Sequence, residues 1–147
     1  MKHKKSDNFE TKSVSSSLVR FAIDFKPEFV SDEVKQIAQL SLFDWFVVSL
    51  AGQTEPVSNI IRGQIKSDGG TEDCTVIGTT QRFPARASAL ANGTTSHALD
   101  YDDTHFAYLG HPSVAIIPAA IAIGEKTNAK PEKFWNAVIL GLEIVTR

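Results

Sequence analysis

The chain has 147 residues, a formal net charge of −2, 42% hydrophobic and 22% charged residues, which is the profile of one globular domain large enough for a core. Basic residues are dispersed apart from "MKHKK" at the start, so no stripe exists to follow a phosphate backbone and no nucleic-acid partner is expected. Cys74 is the only cysteine, which excludes an intrachain disulfide and points to a reducing, cytoplasmic location.

Residues 1–15, "MKHKKSDNFETKSVS", read as a disordered polar tail in which His3 is inert, with no charged-then-apolar secretory signal. From residue 16 the chain becomes helical. Leu18, Phe21, Ala22 and Phe25 recur at helical spacing and stop before Pro27. Ser31 then fits an N-cap, with Asp32 and Glu33 in the first turn, where the helix dipole favours acids. The helix that follows runs to about Leu50, closes at Gly52, and is apolar almost all round in its second half, which predicts a central buried helix. Its apolar run "LSLFDWFVVSLAG" is interrupted by Asp44 and too short to span a bilayer, so no membrane partner is expected.

A third helix is expected from Pro56 to about Ser67, with Val57, Ile60, Ile61 and Ile65 inward and Arg62 and Lys66 outward. After the turn "DGGTED", the short β-branched "CTVIG" reads as a strand paired across "TTQRF". Three more helices start at prolines: "PARASALANGTTSHAL" from Pro84, "PSVAIIPAAIAIGEK" from Pro112 and "PEKFWNAVILGLEIVTR" from Pro131. The last reaches Arg147 in mid-pattern without a closing glycine or proline, so residues 16–147 are read as a helical domain that is incomplete at its C-terminus. The predicted fold is all-α and bundle-like, with at most one short β-hairpin.

Between two helical segments lies "SHALDYDDTHFAYLGHPS", residues 96–113, with three aspartates, three histidines, two tyrosines and a threonine. If the helix from Pro84 continues to about Thr104, then His97, Asp100, Tyr101 and Thr104 share one face. Asp102 and Asp103 then fall at an unfavourable helix C-terminus and read as turn residues. His111 precedes Pro112 at the mouth of the next helix, whose free N–H groups favour a bound carboxylate. The same field is expected to depress the His111 pKa and keep the ring neutral, with the Ser113 hydroxyl as a neighbouring donor. His97 reads as a hydrogen-bonded structural histidine, and His105 and Tyr108 as loop surface or channel lining. Upstream, Arg86 offers a clamp for an acid substrate. Cys74 reads as an inert buried thiol. On residue types alone three readings stay open: a structural turn, a metal site built from Asp100, Asp102, Asp103 and a histidine, and an acid–base site for a small anion.

The ordered blocks "LFDWFVVSLAG", "TVIGT", "PARASALANGTTSHALDYDDTH", "HPSVAIIPAAIAIGE" and "GLEIVTR" resemble the N-terminal half of the MmgE/PrpD family. That family includes 2-methylcitrate dehydratase and cis-aconitate decarboxylase. The resemblance implies a helical domain joined to a later α/β lid, a homodimer, and cofactor-independent, metal-free lyase chemistry on small di- or tricarboxylates. It assigns Asp100, Thr104 and His111 to the catalytic site and places further lysines and the lid beyond residue 147, while residue type and position add Ser113, His105 and Arg86 as substrate contacts. Between Thr104 and His111 the segment "HFAYLG" is one residue longer than in decarboxylase-type members, which leaves the loop path open. The expected activity is dehydration of a 2-methylcitrate-like hydroxy acid, as in propionate metabolism. Alternatives are cis-aconitate decarboxylase-like chemistry, a non-catalytic remnant serving as a helical dimerisation module, and a metal-binding helical module.

Overall fold

The computed structural model describes residues 13–147; His3 and residues 1–12 of the tail expected over 1–15 lie outside them, and residues 13–15 open the first helix instead. Among the described residues six helices run in chain order: α1 (Val14–Asp24), α2 (Asp32–Gly52), α3 (Pro56–Asp68), α4 (Ala85–Ser96), α5 (Ser113–Thr127) and α6 (Pro131–Val145). One antiparallel hairpin, β1 (Cys74–Thr75) and β2 (Arg82–Phe83), pairs Cys74 with Phe83 and Thr75 with Arg82. The all-α reading with one short hairpin therefore holds.

Local chemistry sets the helix starts. Helix α1 begins two residues earlier than expected because the Ser13 hydroxyl accepts the Ser16 N–H. The Ser31 hydroxyl accepts the Val34 N–H and starts α2, while Pro56 and Pro131 open α3 and α6. At the far end of α6, expected bare, the Thr146 hydroxyl donates to the Leu142 carbonyl.

The main core is Ala38 and Trp45 of α2, Ile117 of α5, and Val138 and Ile139 of α6. A second cluster joins Ile65, Val76, Phe83 and Ala91 under the hairpin. The hairpin is also tied down by polar groups. Asn92 on α4 accepts the Ile77 N–H and donates to the Thr75 carbonyl, while Glu125 on α5 accepts from the Thr75 backbone and hydroxyl. Cys74 is buried with its thiol donating to the Ala122 carbonyl, and burial pushes its pKa up, as an inert thiol requires.

Two expectations about buried faces fail. The second half of α2 is not buried all round: Trp45, Val48 and Ser49 point inward, whereas Phe43, Phe46, Val47 and Leu50 are exposed. A helix apolar on both faces needs cover on both, and these residues supply it on one. In α3 the core side is Ile61 and Ile65, with Val57 and Ile60 exposed. Arg62, expected outward, folds back to donate to the Gln53 and Ile77 carbonyls. No helix among the described residues is long and apolar enough to cross a membrane.

Two glycines bring the helices that carry residues 96–113 together. A Cβ at Gly52 would collide with the Thr95 carbonyl oxygen, so α2 and α4 touch backbone to backbone there. At Gly93 a Cβ would come to 3.1 Å of the Val114 carbonyl oxygen. Pro118 has no N–H to offer that carbonyl, and its ring packs beside Gly93. The end of α4 is thereby set against the beginning of α5.

Candidate functional site

Helix α4 ends at Ser96, not near Thr104. The run Gly93, Thr94, Thr95, Ser96 is poor helix material, and Asp100 takes a left-handed conformation at φ 54. The expected shared helix face of His97, Asp100, Tyr101 and Thr104 does not exist. The left-handed turn nevertheless returns Asp100 toward His97, with Oδ1 lying 3.8 Å from His97 Nε2.

Asp102 is the hub of the segment. Its side chain is 1% exposed. Oδ1 lies 2.9 Å from His97 Nδ1 and 3.4 Å from His111 Nδ1, while its backbone carbonyl lies 3.0 Å from His111 Nδ1. A carbonyl only accepts, so His111 Nδ1 carries a proton and donates it. Asp102 likewise accepts from His97 Nδ1. One residue thus holds two imidazoles, whose ring centroids are 4.9 Å apart. The second carboxylate oxygen, Oδ2, is buried without a partner among the described residues.

With both Nδ1 atoms engaged, the two Nε2 atoms face Asp100. His111 Nε2 lies 3.4 Å from Asp100 Oδ1. The His111 pKa is raised, opposite to the expected depression. Donation to the Asp102 carbonyl is the main cause; burial opposes it, and the Asp102 and Asp100 carboxylates add to it. The helix field that was to depress it is spent elsewhere. Asp103 Oδ1 accepts the Ser113 N–H and Oδ2 accepts the Ser113 hydroxyl at 2.6 Å, so a carboxylate of the chain itself caps α5. Asp102 and Asp103 are hub and cap, not bare turn residues.

The remaining expected residues divide by position. Ser113 is buried and committed to Asp103. Thr104 and His105 are exposed and line a 380 Å³ groove walled by Ile37, Ala38 and Leu142. His105 pairs with Gly110 through a β-bridge that closes the longer loop, and its Nδ1 accepts the Ala107 N–H. Tyr108 lies on that loop and is exposed. Arg86 is exposed in the first turn of α4, about 16 Å along the helix from His97, and the fold does not bring it to the cluster. Among the described residues no lysine or arginine pairs with Asp100, Asp102 or Asp103.

Asp44 of α2 went unassigned in the sequence yet faces this segment. Burial raises its pKa, the Asp103 carboxylate adds to that, and its Oδ2 has no partner among the described residues. A single carboxylate inside an apolar run was the available signal, since a buried acid needs a reason.

The MmgE/PrpD N-terminal domain model matches residues 16–147. The chain belongs to the MmgE/PrpD family. A relative from Aspergillus oryzae (strain ATCC 42149 / RIB 40), the "Cis-aconitate decarboxylase-like protein oryM", is 28% identical over 133 residues. The match covers 90% of this chain and 27% of that protein, so the chain spans about a quarter of the relative's length. The MmgE/PrpD match and the helical architecture agree over the same residues, and residues 96–113 lie wholly within it.

Proposed function

We propose that this MmgE/PrpD domain contributes the His111–Asp100 acid–base pair of a lyase acting on a small di- or tricarboxylate, with dehydration of a 2-methylcitrate-like acid as the first reading. The observation that carries it is the oriented imidazole: His111 has Nδ1 fixed on the Asp102 carbonyl and Nε2 presented to Asp100. In a dehydration the C–H bond beside a carboxylate breaks with its proton passing to a base, here the exposed Asp100 carboxylate, a C=C bond forms, and the hydroxyl leaves after taking a proton as water. A raised pKa suits His111 to donate that proton from Nε2, with Asp100 orienting the ring and stabilising its charged form. Thr104 hydrogen-bonds the substrate from the adjoining groove, where His105 also faces. Carboxylate-binding cations come from outside the cluster, in the manner the family resemblance implies for the lid and the homodimer.

The name of the fungal relative favours a second reading, decarboxylation of a cis-aconitate-like acid. There a C–C bond breaks, CO2 leaves, and the same Nε2 proton quenches the carbanion. Offering both acids to the protein together with its lid domain separates the readings: alkene formation marks dehydration and CO2 release marks decarboxylation. His111→Asn is expected to lower kcat by about 10²–10⁴-fold on whichever acid is used. Unchanged turnover in that variant would overturn the assignment.

A further inference from the structure

The same four side chains form a second kind of site. We propose that His97 Nε2, His111 Nε2 and the Asp100 carboxylate bind a divalent transition-metal ion, with zinc as the best fit, and that Asp102 supports the site from behind. His97, Asp100, Asp102 and His111 each offer a ligand atom, and those atoms lie within 4.8 Å of one another.

The tautomers decide where an ion sits. Both Nδ1 atoms point at Asp102, at 2.9 Å to Oδ1 for His97 and 3.0 Å to the carbonyl for His111. In the neutral rings the lone pairs are therefore on Nε2. A histidine that binds a metal through one nitrogen and donates its other N–H to a carboxylate or carbonyl is the usual arrangement of a protein zinc site. Ligand atoms around a tetrahedral zinc at about 2.0–2.1 Å are roughly 3.4 Å apart. Asp100 Oδ1 stands 3.4 Å from His111 Nε2 and 3.8 Å from His97 Nε2. Asp100 is 78% exposed, free to close the remaining few tenths of an ångström.

Charge is the independent observation. Asp102 is buried with Oδ2 unpartnered, Asp44 Oδ2 is buried and unpartnered nearby, and no lysine or arginine among the described residues pairs with either. Buried negative charge is costly, and a divalent ion in front of the two rings would offset it. Two imidazoles and one carboxylate favour a borderline ion such as zinc over magnesium or calcium, which take oxygen ligands. Three protein ligands leave one tetrahedral position open.

The proposal does not rest on the lyase reading. Zinc would occupy His111 Nε2, the atom assigned to proton transfer, so binding and turnover exclude one another.

The test uses the full metal-free chain titrated with zinc against a chromophoric chelator, and with cobalt as a spectroscopic stand-in. The expected result is a single tight equivalent and a tetrahedral cobalt spectrum. His97→Gln and Asp100→Asn should each weaken binding at least about 10-fold, and Asp102→Asn by about 10–100-fold through the lost support of the rings. The double variant His3→Gln, His105→Gln should bind as the parent does. Circular dichroism of each variant establishes that the helices persist. Absence of binding, or loss in the His3/His105 variant with retention in His97→Gln, would overturn the proposal. Zinc binding by this chain, with no turnover of either acid by the metal-free protein joined to its lid domain, would sink only the lyase reading, and turnover there without zinc binding here only this one.

Discussion

Asp44 is the only charged residue in "LSLFDWFVVSL", and its carboxyl is held above the ordinary value of 3.8, first by burial and then by the Asp103 charge. A carboxyl whose folded pKa is raised binds its proton more tightly in the native state than in the unfolded chain. Stability is then full below the unfolded pKa and falls as pH rises through the folded pKa, the reverse of a salt-bridged acid. Asn at this position keeps an acceptor for its surroundings and removes the charge. Asp44→Asn should therefore raise Tm at pH 7 by roughly 2 °C, about half a kcal/mol for a domain this size. The gain should vanish when melting is repeated at a pH well below 3.8, where the wild-type carboxyl is protonated in both states. Equal gain at both pH values would show that packing, not charge, is the cause.

Helix α5 starts where it does because Asp103 caps it, accepting both the N–H and the hydroxyl of Ser113. Asp103→Ala removes the cap and leaves a buried hydroxyl unpaired, so it should cost about 1–2 kcal/mol in urea denaturation. Asp103→Asn, which retains an acceptor, should cost clearly less, and equal losses would deny the capping role. Prolines, caps and apolar spacing made the helices legible in the sequence because those signals act within one turn of chain. The end of α4 was not legible in the same way. It depends on a weak Gly-Thr-Thr-Ser run yielding to a left-handed Asp100, a choice settled by what the released chain can reach. For the same reason residues 96–113 stood out as a chemical cluster while the division of work within them did not. Asp102 and Asp103 are neighbours of one residue type; one turns inward beneath two rings and the other toward α5, and only tertiary position distinguishes them. Asp44 lies more than fifty residues upstream, beyond any local pattern.

At the scale of the whole molecule, α2 has two apolar faces, and α4, α5 and α6 cover only one of them. Trp45, Val48, Ser49 and Gly52 meet the core, whereas Phe43, Phe46, Val47 and Leu50 recur at i, i+3, i+4 and i+7 on the opposite side, 42–67% exposed. Val57 and Ile60 of α3 add to the exposed apolar surface, at 42% and 71%. Single exposed apolar residues are unremarkable, but four at helical spacing along one face of one helix mark an interaction surface. Each such side chain gains about 25 cal/mol per Å² on being covered, so pairing two copies is favourable even after the cost of association. The chain on its own should thus sediment as a dimer or larger species at roughly tens of micromolar. Phe46→Glu combined with Leu50→Glu places like charges on the stripe and should shift the distribution to monomer. Because both positions are exposed, the change should cost the fold only about 0.5 kcal/mol per site, and helix content should persist. A wild-type chain that sediments as a clean monomer would contradict this account of α2. An association insensitive to the two glutamates would move it from this stripe to another face.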